Sequence, residues 1–150
     1  METQLSRPER AGWMSLLAKA PHDTLVEAAG RYGELPSFTW LRKPETGLAM
    51  VRARAGGTGS QFNLGEMSVT RCALRLASGE MGVAYVSGRD QRHAELAAIF
   101  DALMQSGARD SVQANVLQPI EQALVQRQRR AQAEAQATKV EFMTMVRGED

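Results

Sequence analysis

The chain has 150 residues, of which 43% are hydrophobic and 23% charged, and its formal net charge is +1. That length suits one domain with a substantial core, and the near-neutral balance argues against a dedicated nucleic-acid binder. A lone cysteine, Cys72, excludes an internal disulfide or a cysteine metal cluster, while the lack of a membrane-length apolar run or an apolar signal core in Met1–Arg10 predicts a cytoplasmic protein.

Arg10 to Lys19 reads as a short helix with Trp13, Leu16 and Leu17 on one face, ended by Pro21. Thr24 to Tyr32 reads as a second, capped by Asp23 and stopped by Gly33. A block of strands follows. Phe38 to Lys43 is the first, closed by Pro44 and a turn over Glu45-Thr46-Gly47. Leu48 to Ala55 is the second. It alternates Ala49, Val51, Ala53 and Ala55, a small face that could lie under a helix, against Leu48, Met50, Arg52 and Arg54. Phe62 to Gly65 returns the chain, and Met67 to Leu76 forms the third strand. The Ser78-Gly79 turn leads to the fourth, Met81 to Ser87.

The period then changes. Asp90 caps a helix running to about Gln105, with Leu96, Ile99, Phe100 and Leu103 as its apolar stripe, and Gly107 ends it. A long helical stretch covers Ser111 to Thr138, interrupted by Pro119. Its part from Gln126 to Ala137 is almost devoid of large apolar residues, as expected of a solvated helix or one resting on a partner. Val140 to Val146 alternates like an extended tail and carries too much apolar surface for a free end. Phe142, Met143, Met145 and Arg147 are therefore candidate partner contacts. The expected fold is α+β: an antiparallel meander of about four strands, short helices before it, long helices after it and an extended C-terminal tail. The chain reads as a single domain over residues 1–150, with 110–150 a helical arm and tail that dock on partners.

Two segments suit an anion. In Arg52-Ala53-Arg54-Ala55-Gly56-Gly57-Thr58-Gly59, guanidinium forks meet a glycine-rich turn whose amides could converge on oxygens. No Lys-Ser/Thr follows Gly59, so it is not a P-loop, and no helix follows, so it is not a dinucleotide fingerprint. The bland alternative is a hairpin turn with two solvated arginines. The second segment is the strand-to-helix junction with Arg89, Arg92 and His93 near a helix start. Its bland alternative is a helix capped by Asp90 with His93 exposed. Between Arg42 and Arg92 eight basic residues face four acidic ones, a local surplus suited to a small anion or an acidic partner surface. His22 and His93 have no metal-site spacing, Cys72 reads as a small buried residue, and no Ser–His–Asp set or carboxylate pair stands out.

An ordered series of motifs resembles the PhnG family of phosphonate metabolism. It comprises Arg42-Lys43-Pro44-Glu45-Thr46-Gly47-Leu48, Val51 to Gly59, Phe62-Asn63-Leu64-Gly65-Glu66, Val69-Thr70-Arg71-Cys72, Gly88-Arg89-Asp90 with His93-Ala94, and Phe142 to Gly148. The resemblance runs from about Trp13 to Gly148. It implies a subunit of the bacterial carbon–phosphorus lyase core, made of subunits G, H, I and J in two copies each, with an accessory L subunit. That system displaces adenine from MgATP by a phosphonate, and the J subunit later breaks the carbon–phosphorus bond with an iron–sulfur cluster and S-adenosylmethionine. The resemblance assigns this subunit no catalytic residue and no cofactor of its own, and it implies neither a nucleic-acid nor a membrane partner. A scaffold for the I subunit is the leading expectation, direct donation of anion-binding residues the second, and an independent small enzyme a third that the missing chemistry disfavours.

Overall fold

A computed structural model describes residues 7–147, with side chains from 9 to 139. In chain order the elements are α1 (Arg7–Lys19), α2 (His22–Tyr32), β1 (Phe38–Arg54), β2 (Gln61–Leu76), β3 (Met81–Ser87), α3 (Gln91–Met104), α4 (Arg109–Val112) and α5 (Gln118–Arg147). The fold is α+β. The sheet has three strands in the order β1-β2-β3, all antiparallel.

The expected four-strand meander is corrected to three because its first two strands are one. Pro44 does not end β1. Two register shifts loosen the ladder here: one at Trp40/Arg42 takes up Leu41, and one at Arg42/Glu45 takes up Lys43-Pro44. A proline is tolerated there because β1 is an edge strand, where a missing N–H can point away from the ladder. The predicted turn at Glu45-Thr46-Gly47 stays in register instead, with Thr46 opposite Thr70 and Gly47 opposite Val69. The predicted return at Phe62–Gly65 likewise joins β2. A further shift at Val51/Arg52 leaves Leu64 unpaired on β2, a bulge that bends the ribbon.

α3 is the hub. Eleven of its fourteen residues are buried, from His93 to Met104 with Glu95 omitted. A helix apolar on nearly every side must be enclosed on nearly every side. The sheet lies on one flank, where Cys72, Leu74, Leu76, Ala84 and Val86 turn inward. Close approach is set by Gly82: a Cβ there would sit 1.9 Å from the Ala98 carbonyl oxygen. On its other flanks stand Trp13 and Leu17 of α1, Leu25, Ala28 and Ala29 of α2, and Val112, Val116, Leu117 and Ile120 beyond α4. Helix α2 begins at His22, two residues before the expected Thr24. Pro21 occupies the cap position and Asp23 lies inside the first turn, which corrects the predicted cap.

Between α4 and α5 the chain makes a π turn over Gln113–Leu117, in which the Gln118 amide donates to the Gln113 carbonyl. The widened turn lets Val116 and Leu117 face the core together, and Pro119 follows in the first turn of α5, so the interruption falls where the proline predicts. Beyond Leu124, α5 leaves the body; residues 126–139 are exposed on every side. The C-terminal segment predicted as an extended tail is instead helical backbone through Arg147. The side chains of Phe142, Met143, Met145 and Arg147 lie outside the described residues.

Candidate functional site

The sheet changes character along its length. β3 pairs with β2 only from Val69 to Arg75. The remainder, Leu48–Arg54 with Gln61–Ser68, projects as a two-stranded ribbon. The ribbon is not covered by a helix on its small face, as the sequence suggested it could be; Ala49, Val51 and Ala53 are merely half-buried.

The tip explains its glycines. Ala55–Gly57 forms a tight turn in which Gly56 has φ 63° and Gly57 φ 80°, the left-handed region that side chains disfavour. The Thr58 and Gly59 amides both donate to the Ala55 carbonyl, Gly59 at 2.8 Å. A Cβ at Gly59 would meet that oxygen at 2.6 Å. Local geometry therefore accounts for Gly56, Gly57 and Gly59 and occupies two of the amides that an anion would use. Arg52 and Arg54 stand opposite Asn63 and Gln61, exposed, on the face shared with Leu48 and Met50. No acidic residue occurs from Thr46 to Gly65.

The second anion candidate is elsewhere. The Gly88 amide donates to the Ser68 carbonyl, which seats the Arg89–His93 junction beside Ser68. Ser68 is five residues along β2 from Asn63, or ~16 Å at the rise of a strand. The two arginine groups do not converge. His93, expected at the surface, is buried, and its Nε2 lies 2.7 Å from the Leu17 carbonyl. A carbonyl only accepts, so Nε2 carries a proton. Arg89 is exposed, but its neighbour Asp90 is a negative group. Asp90 caps α3 through the His93 amide at 3.0 Å and pairs with His22 Nδ1 at 2.5 Å. Partial burial works to raise the Asp90 pKa; the His93 amide and the His22 ring outweigh it, so the carboxyl is held below its ordinary value.

Where the ribbon leaves the body, an open groove of about 710 Å³ lies between Glu45, Gly47, Leu48, Val69, Arg71 and Tyr85. Its polar lining is already spoken for in part. The Arg71 guanidinium is 3.8 Å from Glu45, an exposed pair of small energetic weight. The Thr70 hydroxyl donates to the Gly88 carbonyl at 2.7 Å, so the Thr46 hydroxyl is the donor in its 2.9 Å bond to Thr70.

Two polar groupings escaped the sequence reading. One is the His22–Asp90 pair, whose members are 68 residues apart. The other surrounds Asp101, a fully buried carboxylate on α3 that accepts from Arg10, Trp13 and the Val83 amide. An acid between Phe100 and Ala102 in the otherwise apolar stretch Leu96–Met104 was the available signal. Cys72 is buried as expected, and its thiol donates to the Ala94 carbonyl at 3.3 Å. Burial, with the Glu95 charge adding to it, pushes the thiol up to about 11. Among the described residues no group of three His, Cys, Asp or Glu side chains is placed to hold a metal ion.

These features define a small α+β domain whose described surface carries an exposed two-stranded ribbon and a bare helix. The family model described as phosphonate metabolism protein PhnG matches residues 8–148. The alpha-D-ribose 1-methylphosphonate 5-triphosphate synthase subunit PhnG of Rhizobium meliloti (strain 1021) is 46% identical over 143 residues, covering 95% of this chain and 91% of that protein. The chain belongs to the PhnG family of phosphonate metabolism.

Proposed function

We propose that this chain is a non-catalytic subunit of the phosphonate carbon–phosphorus lyase core, which joins a phosphonate to the ribose 5-triphosphate of MgATP. In that reaction a phosphonate oxygen bonds to the ribose C1 as the glycosidic bond to adenine breaks, and adenine departs. The observation that carries the reading is 46% identity across 95% of the chain to a protein named as a subunit of that synthase. The surface agrees with a scaffold for the I subunit: the ribbon and residues 126–139 of α5 are exposed along their length. Residues 110–150 serve as a docking arm. The partners are the H, I and J subunits with accessory L, two copies of each core subunit, working in the cytoplasm on MgATP. No helix among the described residues is long and apolar enough to cross a membrane. The iron–sulfur cluster and S-adenosylmethionine belong to a partner, and this chain binds no cofactor.

Co-expression with H, I and J tests the reading. The four chains are expected to purify together, and adenine release from MgATP and methylphosphonate is expected to stop when this chain is omitted. Adenine release by the isolated chain, or failure to co-purify, overturns it.

A second reading has a specific observation behind it. Arg52 and Arg54 are exposed opposite Asn63 and Gln61, with no acidic residue among those described paired to either, so they are available to the triphosphate or phosphonate oxygens of a neighbouring active site. Assemblies carrying Arg52→Ala and Arg54→Ala should then form normally and show a raised KM. Unchanged kinetics reject it.

A further inference from the structure

We propose that the outer edge of β1 from Gly47 to Arg54 is a template for one added β-strand, supplied by an acidic, apolar-alternating segment of a partner protein. The proposal rests on the subunit reading above and specifies how the ribbon is used.

β1 lies at the edge of the sheet, and among the described residues nothing pairs with its outer side. An edge strand directs every second N–H and C=O outward, where they wait for another chain. Proteins usually blunt such edges with lysine, proline or bulges. Here the blunting is confined to one half. The stretch Trp40–Glu45 has Lys43, Pro44 and two register shifts. From Glu45 to Val51 the ladder with β2 then runs without a break, and this half has none of those devices on β1 itself. The body of the sheet is protected against strand addition, and the ribbon is open to it.

The ribbon's composition says what would add. Leu48, Met50, Phe62 and Leu64 are 66%, 52%, 46% and 63% exposed. Four large apolar side chains on an isolated pair of strands are poorly explained by solvent, and a two-stranded ribbon is of marginal stability by itself. A third strand would place its own alternate side chains beside Leu48 and Met50 and complete the ribbon. Further along the same face come Arg52 and Arg54, opposite the neutral Asn63 and Gln61; the ribbon's one acid, Glu66, stands opposite Met50. Charge complementarity therefore selects a segment with carboxylates at one end and apolar residues at the other. A second copy of this chain fits less well. Antiparallel pairing of two such edges about Met50 would set Arg52 opposite Leu48 and leave the guanidinium groups without carboxylates.

The test compares amide hydrogen exchange in the full chain alone and in the assembly co-purified with H, I and J. Amides of Gly47–Arg54 are expected to slow at least tenfold in the assembly, with those of Phe38–Trp40 unchanged. Charge reversal by Arg52→Glu with Arg54→Glu should weaken assembly at least tenfold at low salt, and Arg75→Glu on the body of the sheet should not. An assembly that forms while the Gly47–Arg54 amides stay fast overturns strand addition and leaves the subunit reading standing. Failure to assemble overturns both. Slow exchange in the isolated chain that deepens with its concentration assigns the edge to a second copy and overturns the acidic partner segment.

Discussion

The carboxylate of Asp101, fully buried on α3, is gripped from α1 by Arg10, whose Nε lies 3.2 Å from Oδ1 and whose Nη2 lies 2.9 Å from Oδ2. The indole of Trp13 adds 2.8 Å to Oδ1, and the Val83 amide adds 2.9 Å to Oδ2. One side chain thus ties α1, α3 and β3 together. The Asp101 hydrogen bond is the largest influence on Arg10 and raises its pKa against the opposing effect of burial. Asp101→Ala leaves three donors facing a void and should cost about 3 kcal/mol, read by urea unfolding. Arg10→Ala should cost less, about 1–2 kcal/mol, because water reaches the guanidinium side of the pair.

Gly82 sets a different limit. An added methyl would fall 1.9 Å from a backbone oxygen of α3, and helix backbone does not yield as a side-chain end does. Gly82→Ala should destabilise by about 3 kcal/mol, whereas Gly107→Ala, with open space around it, should stay within about 0.5 kcal/mol. Thermal unfolding of the two variants makes the comparison.

The acid limb of stability should depend on Asp90. Its folded pKa is depressed below the ordinary 3.8. The stabilisation is therefore fully present above pH 3.8 and is lost as pH falls through the lower folded value. Removing the cap by Asp90→Ala should cost about 1 kcal/mol at neutral pH. The gap between wild type and variant should close below pH 3.8. A gap that persists once the Asp90 carboxyl is protonated in the folded chain would mean that packing, not the carboxylate, held α3.

Cys72 should be inert in the folded chain. With a thiol at about 11, roughly one molecule in a thousand is thiolate at pH 8, and the sulfur is buried as well. Reaction with an aromatic disulfide reagent at pH 8 should follow global unfolding and accelerate sharply in urea.

Core and ribbon should answer differently to the same change. Leu74→Ala, at a fully buried position, should cost about 2–5 kcal/mol. Leu48→Ala should shift the stability of the isolated chain by less than about 0.5 kcal/mol. Calorimetry on both separates residues that hold the fold from residues that await a contact.

Much of the fold was legible locally. Asp90 as a cap, the hairpin at Ser78-Gly79 and the buried α3 stripe follow from capping chemistry, turn residues and period. Lys43-Pro44 misled because proline stops strands in general but not at an edge, and edge status is decided by tertiary arrangement. Val140–Val146 misled because a period of two in seven residues does not outweigh the helix that enters it. The candidate site was half legible. Arg52, Arg54 and the glycine turn were recognised, but that the tip amides turn inward on Ala55, and that His93 turns inward on Leu17, are facts of three-dimensional packing. Asp101 with Arg10 spans 91 residues of sequence, a separation no local pattern encodes.

The sealed thiol has a practical side. Because Cys72 is the only cysteine and lies out of reach, the wild-type chain is already a blank background for site-specific probes. A cysteine introduced at Thr58, exposed at the ribbon tip, would be the single sulfur to take a fluorophore or spin label under native conditions. The distal end of the ribbon can thus be tracked through assembly without altering any residue of the core.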